Sequence, residues 1–126
     1  MMSRVVTVLA VVVLGGVVGT GLRFGAAELA DAWSWPSAVV LLIVNSFGAF
    51  TLGWFVEWRS RRAVAELVAA AVSAGLLASF TTFSGVMVEA AELARSQRVV
   101  AAIGLLGASL CIGWGCAVAG RKVASR

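Results

Sequence analysis

The stretch from Ser73 to Gly85, SAGLLASFTTFSG, places hydroxyl and aromatic side chains inside an apolar part of the chain. Its centre has two threonines, Thr81 and Thr82, between two phenylalanines. A bilayer interior penalises every unpaired polar group, so these hydroxyls need helix partners, water or an ion. The stretch is therefore predicted to line or brace an ion path.

The other polar groups at membrane depth are one amide and one further hydroxyl. Asn45 lies within the second apolar span, where it either faces a path or bonds to another helix, and Ser109 lies within the last span. The chain has no His and no mid-span Asp or Glu, which excludes a catalytic triad and a proton relay. Hydrogen-bond donors without carboxylates favour a small anion over a cation. We therefore predict an anion path and no enzyme.

The composition is that of a membrane protein. Of 126 residues, 61% are hydrophobic and 13% are charged, whereas soluble domains have roughly 25% charged residues. The net charge of +4 comes from residues that flank the apolar spans, which disfavours nucleic-acid binding. Cys111 and Cys116 lie in one apolar segment and predict neither a metal site nor a disulfide.

Four apolar spans predict an all-α membrane protein with a single domain over residues 1–126. The spans cover about 5–24, 37–56, 67–88 and 99–119, with a connector over 26–37. About 20 residues cross a hydrocarbon core of roughly 30 Å. The glycines, serines and threonines of the third span are weak helix formers, so we expect that helix to be broken near its middle.

Glycines predict where helices approach each other closely. In the first span Gly15, Gly16 and Gly19 include a GxxxG spacing. In the fourth span the corresponding residues are Gly104, Gly107, Gly113 and Gly115.

The basic residues are distributed unevenly between the two ends of the spans. With four spans, the two termini and the loop at 57–63 share one side, which holds seven of the ten basic residues. The positive-inside rule then puts both termini in the cytoplasm. Four spans are too few to enclose a path alone, so we expect an oligomer, most simply a dimer.

Three sequence blocks together resemble the family of small fluoride channels called Fluc or CrcB. The blocks are FTTFS at 80–84, VNSFGAF at 44–50 and GGVVGTGLRF at 15–24. The resemblance implies a fluoride-selective channel subunit of the inner membrane that lowers cytoplasmic fluoride by passive efflux. It also implies an antiparallel dimer with a third helix broken at the motif, two fluoride paths and a structural sodium ion at the dimer interface.

The resemblance also assigns roles to single residues. The backbone carbonyls of Ala78 and Thr81 resemble the sodium ligands. Arg23 resembles an arginine at the vestibule of the path. The expected ion-pathway residues are Arg23, Asn45, Phe80, Thr82, Phe83, Ser84 and Ser109.

Three positions depart from the family pattern. Ala78 stands where the family usually has Gly, Gly85 where it has Thr, and Val86 where it has a second pore Phe. With the charge bias, these departures lead to the hypothesis that the chain is one of two divergent subunits that pair antiparallel. The expected partners are thus fluoride, the lipid bilayer, and either an identical copy or a related subunit.

Two other functions remain open from the residues alone. A small multidrug-type, proton-coupled exporter also has four spans, but its mechanism requires a carboxylate in the first span, which residues 5–24 lack. A structural membrane subunit that does not conduct is the other alternative.

Overall fold

The computed structural model describes residues 2–126, and every regular element in that range is a helix. The elements are α1 (Met2–Ala32), α2 (Ser37–Ser60), α3 (Glu66–Ala70), a π-helical segment (Ala71–Leu77), α4 (Ala78–Phe80), α5 (Phe83–Arg95) and α6 (Val99–Ala124). Four stretches are long and apolar enough to cross a membrane: α1, α2, Glu66–Arg95 and α6. The chain is an all-helical, multi-pass membrane protein.

The first helix is longer than the sequence predicts. We expected a connector from residue 26 onward, but α1 continues to Ala32. The added turns contain Ala, Glu and Leu, which are good helix formers. The helix ends where Ser34 takes a positive φ of 56°, and α2 begins directly after Pro36, its N-cap residue.

Glycines of α1 let it pack directly on the backbone of the third span. A Cβ built on Gly15 would fall on the carbonyl oxygen of Ala71, and one on Gly19 would fall on that of Leu76. Such contacts leave no room for a side chain, so the predicted close approach at these two glycines is confirmed.

The fourth helix packs on α2 through glycines that the sequence analysis did not single out. A Cβ on Gly53 would fall on the carbonyl of Ala117, and one on Gly120 would fall on that of Phe50. The glycines predicted for this role have nothing within 4 Å of such a Cβ: Gly104, Gly107, Gly113 and Gly115. That prediction is wrong within the subunit, because these residues do not lie against another helix of the same chain.

A small apolar core holds α5 against α6. It consists of Val86 and Ala90 from α5 with Ala102 and Leu105 from α6. Val86 is the most buried, at 1% exposure. This core fixes the helix that follows the break in the third span.

Ion pairs gather the termini and the loop between α2 and α3 at one end of the bundle. Arg4 near the N-terminus pairs with Glu66 at the start of α3. Glu57 near the end of α2 binds Arg61 at 3.2 Å and Arg121 of α6 at 3.6 Å. These contacts join the three segments that contain seven of the basic residues.

Candidate ion site at the break in the third span

The third span leaves α-helical geometry twice. The π-helical segment follows α3, and the backbone then becomes extended at Thr81 (φ −81°, ψ 152°) and Thr82 (φ −143°, ψ 113°). Two hydroxyls bind carbonyls of the preceding turn, Ser73 at Ala69 (2.6 Å) and Thr81 at Leu77 (3.1 Å). Such bonds compete with the regular backbone ladder and bend helices.

Asn45 of α2 pairs with the backbone of Thr82 through both ends of its amide. The Thr82 N–H donates to Asn45 Oδ1 at 2.8 Å, and Asn45 Nδ2 donates to the Thr82 carbonyl at 3.0 Å. Extended backbone at membrane depth is tolerated only where its polar groups find partners. Asn45 supplies those partners for Thr82.

The side chain of Thr82 starts the next helix. It is buried, and its Oγ1 accepts the N–H of Gly85 at 3.1 Å, which caps α5. The same oxygen lies 3.2 Å from the Ser84 hydroxyl. The extended backbone of Thr82 therefore interrupts the third span, and its side chain caps the N-terminus of α5.

The carbonyls of Ala78 and Thr81 are among those that lose their helical donors at the break. In a continuous helix the Ala78 carbonyl would accept from Thr82 N–H and the Thr81 carbonyl from Gly85 N–H. Those N–H groups donate to Asn45 and to the Thr82 hydroxyl instead. Carbonyl oxygens freed in this way are ligands that suit a hard cation such as sodium. Ala78 and Thr81 thus have the chemistry that the sequence analysis expects of sodium ligands.

A cavity of about 300 Å³ lies beside the break and contains most of the expected site residues. No charged residue is among those that line it in the part of the chain from residue 2 onward. The expected residues that line it are Asn45, Ala78, Thr81, Thr82, Phe83 and Ser109.

The two phenylalanines of the motif have different surroundings. The Phe83 side chain is 69% exposed on the outside of the subunit, although it also borders the cavity. Phe80 is partly buried and packs edge-on against Phe47, with ring centroids 6.1 Å apart. Phe80 is not among the cavity-lining residues.

Ser109 has a hydroxyl without a partner among residues 2–126. Its Oγ is buried, yet it accepts and donates no hydrogen bond there. A buried hydroxyl that lacks a partner costs free energy. Because Ser109 borders the cavity, a bound ion or water is the group that would satisfy it.

Three further positions expected at the path have different surroundings. Ser84 does not line the cavity but contacts Thr82. Arg23 is half-buried on α1 and does not reach the cavity. Val86, expected at a pore position, has its side chain in the core with Ala90, although it also borders the cavity.

Gly48 is a site residue that sequence reasoning did not assign. A Cβ at this position would fall on the methyl group of Thr81, so only glycine lets α2 reach the break. Gly48 follows Asn45 by three residues and so shares its helix face. That spacing, within VNSFGAF, was the available signal.

The sequence profile of the family described as CrcB-like protein, Camphor Resistance (CrcB), matches residues 10–121. The chain belongs to the CrcB family. The match covers all of the cavity residues, the whole of α2 and of the third span, and α6 up to residue 121.

Individual relatives match the CrcB chain over nearly its whole length. The fluoride-specific ion channel FluC of Oceanobacillus iheyensis is 30% identical over 116 residues, which is 90% of this chain and 88% of the relative. FluC 2 of Yersinia pseudotuberculosis is 32% identical over 88% of this chain and 91% of its own length. FluC of Stutzerimonas stutzeri is 32% identical over 90% and 93%.

Proposed function

We propose that the chain is a subunit of a fluoride-selective channel that conducts passively and lowers cytoplasmic fluoride. The observation that carries this proposal is the cavity at the break, whose polar lining consists of hydroxyls, an amide and backbone groups without any carboxylate. The Ser109 hydroxyl and the second N–H of the Asn45 amide have no partner among residues 2–126 and can donate to an ion. Donors of this kind select a small anion that can exchange its water for them. The names of the relatives support fluoride as that anion.

The residues that line the cavity also support passive conduction. Proton coupling through the membrane needs a titratable group at depth, and none borders the cavity in residues 2–126. The negative-inside membrane potential would drive an anion outward without any coupling ion. We therefore favour a channel over a proton-coupled exporter, an enzyme or a subunit that does not conduct.

Fluoride efflux from liposomes tests this function. Purified protein in liposomes loaded with potassium fluoride, with valinomycin to carry the compensating charge, should release fluoride detected by an ion-selective electrode. Liposomes loaded with chloride should release none. Proton-driven uptake of a lipophilic cation would instead support the exporter, and the absence of both activities would support the structural subunit.

We propose that the Ala78 and Thr81 carbonyls contribute to a structural sodium site. The support is the loss of their two helical donors to Asn45 and to the Thr82 hydroxyl. Two carbonyls from one subunit are few for a hard cation, which takes about six oxygen ligands. A second subunit related by a two-fold axis would double the number.

Sodium replacement tests this site. Sodium should raise the thermal unfolding temperature of the purified protein, because a ligand that binds only the folded state stabilises it. The control is N-methyl-D-glucamine at the same chloride concentration, since this bulky cation cannot enter such a site. Equal unfolding temperatures in both salts would argue against the sodium site.

We propose that the functional unit is an antiparallel dimer. The subunit leaves Phe83 exposed beside the cavity, and it leaves Gly104, Gly107 and Gly115 of α6 exposed without a neighbouring helix. A partner that covers these surfaces would close the path. An identical copy or a related subunit both fit this surface.

The uneven distribution of basic residues between the two ends of the bundle favours a related subunit as the dimer partner. It also favours cytoplasmic termini. The ion pairs of Arg4, Glu57 and Arg121 gather the basic segments at one end, and the positive-inside rule puts that end in the cytoplasm. Fusions of green fluorescent protein and of alkaline phosphatase to the C-terminus report the orientation. Fluorescence without phosphatase activity would support one orientation and hence a heterodimer, whereas strong signals from both would support a homodimer.

A further inference from the structure

The π-helical segment holds one surplus residue just before the break. At its start, Ala71 N–H bonds the carbonyl of Leu67, four residues back. At its end, Ala78 N–H is shared between the carbonyls of Gly75, three residues back, and Ser73, five residues back. Thr81 N–H again reaches four residues back. Wide turns of this kind absorb an extra residue without turning the flanking helices.

The glycine face of α1 contacts this wide turn at both ends. Gly15 lies against the carbonyl oxygen of Ala71 and Gly19 against that of Leu76. In the middle, a Cβ on Gly75 would lie 2.6 Å from the carbonyl of Val12. The bulging carbonyls therefore occupy the space that side chains at these α1 positions would fill.

We propose that Gly15 and Gly19 are positioning residues of the ion site, which they affect through the register of the third span. This inference rests on the proposed channel function. A methyl group at either position pushes the Ala71 or Leu76 carbonyl back toward the helix axis. The wide turn then narrows to an α-helical one.

A narrowed turn displaces the surplus residue toward the break. One residue corresponds to a rotation of about 100° in an α-helix. Ala78 and Thr81 would then rotate relative to the cavity that they line, and the Thr82 backbone would leave the Asn45 amide. Neither glycine is among the residues that line the cavity, so neither can act by direct contact with the ion.

The decisive variants are Gly15→Ala and Gly19→Ala, with Gly21→Ala as the matched control. A Cβ on Gly21 meets nothing within 4 Å, although the residue lies on the same helix. Fluoride efflux should fall about tenfold or more in the first two variants, since overpacking against backbone is not relieved by side-chain movement. Efflux of Gly21→Ala should equal that of the wild type. Wild-type efflux in Gly15→Ala and Gly19→Ala would overturn the inference.

Deletion of Ala74 separates a register effect from a simple packing defect. Ala74 is exposed within the π-helical segment, and its removal eliminates the surplus residue. The deletion should restore efflux to Gly19→Ala, because an α-helical segment then brings Ala78 and Thr81 to their original faces. A folded double variant that stays inactive would contradict the inference.

Amide hydrogen exchange gives a readout that depends neither on conduction nor on the deletion variant. In Gly19→Ala, exchange should accelerate at residues 78–82 and stay unchanged in α2 and α6, relative to Gly21→Ala. Acceleration throughout the chain, or none, would overturn the inference. A wild-type protein that releases no fluoride would refute the proposed function, while this exchange comparison would still decide the role of the glycines.

Discussion

Asn45 and Thr82 are joined by two hydrogen bonds, one in each direction, between positions 37 residues apart in sequence. The side-chain amide of Asn45 donates to the carbonyl of Thr82 and accepts from its N–H, at 3.0 and 2.8 Å. Only a group with both a donor and an acceptor can satisfy this extended residue. The pair fixes the break in the third span to α2, and the cavity lies beside it.

Asn45→Leu should destabilise the protein and abolish fluoride efflux. The leucine leaves the N–H and the carbonyl of Thr82 without partners, at a cost of about 1–3 kcal/mol for each buried group. Asn45→Asp should also impair efflux, because a carboxylate cannot donate to the Thr82 carbonyl. Thermal unfolding in detergent and electrode-detected efflux measure the two effects.

Gly104→Ala is the control for the Asn45 variants. A Cβ at Gly104 meets nothing within 4 Å in the subunit, so the stability of the subunit should match the wild type and efflux should fall less than in the Asn45 variants. Equal efflux in Asn45→Leu, Asn45→Asp and Gly104→Ala would contradict the role of the amide.

Thr82→Val and Thr82→Ser should show whether stability and efflux depend on the hydroxyl or on the methyl group of Thr82. Valine keeps the shape but removes the cap on Gly85 N–H, which costs about 1 kcal/mol. Serine keeps the capping oxygen and should retain both stability and most of the efflux. Thermal unfolding and efflux of the pair test this, and a valine variant as stable as the serine variant would show that the cap is unimportant.

Phe83→Ile should lower fluoride efflux without lowering the stability of the monomer. The ring is 69% exposed, so the subunit does not depend on it for packing, yet it borders the cavity. Its positive edge can face an anion, which isoleucine cannot reproduce. Phe24→Ile is the matched control, because that ring is 65% exposed on α1. Equal efflux in the two variants would show that the Phe83 ring does not contribute to the ion path.

Ser109→Ala should lower efflux without lowering stability. The Ser109 hydroxyl has no hydrogen-bond partner among residues 2–126, so alanine removes no bond within the subunit. Loss of one donor worth about 1.4 kcal/mol to the passing ion would reduce the rate about tenfold. Thr51→Val is the control, since the Thr51 hydroxyl already bonds the Phe47 carbonyl at 2.8 Å. Wild-type efflux in Ser109→Ala would exclude this hydroxyl from the path.

The sequence located the membrane spans because hydrophobicity is a local property. The four predicted spans lie within the four long apolar helices. The ends were less accurate, and α1 reaches Ala32 rather than 24. Charged and aromatic residues mark where a chain leaves the lipid, not where its backbone hydrogen bonds stop.

The sequence also pointed to the residues around the cavity. Hydroxyls and amides are expensive in a membrane wherever they occur, so Asn45, Thr82 and Ser109 were recognisable by type alone. Phe80 and Arg23 were also expected on the ion path, but neither lines the cavity. Residue type does not reveal which side of a helix faces which neighbour.

Helix packing decided what each glycine does, which the sequence left open. Gly15 and Gly19 lie against backbone carbonyls, whereas Gly104 and Gly107 face open space. All four are glycines within an apolar span, and the arrangement of α1 and α6 decides which of them contact another helix of the subunit.

The stretch from Ser73 to Gly85 also shows what the sequence determines and what the tertiary structure determines. By itself, the sequence determined that polar groups lie at membrane depth and need partners. Tertiary structure alone decided which partners they have. Asn45 comes from a different helix, and its amide is the group that lets Thr82 leave the helical ladder. Partners far apart in sequence depend on the packing of whole helices, which no local pattern encodes.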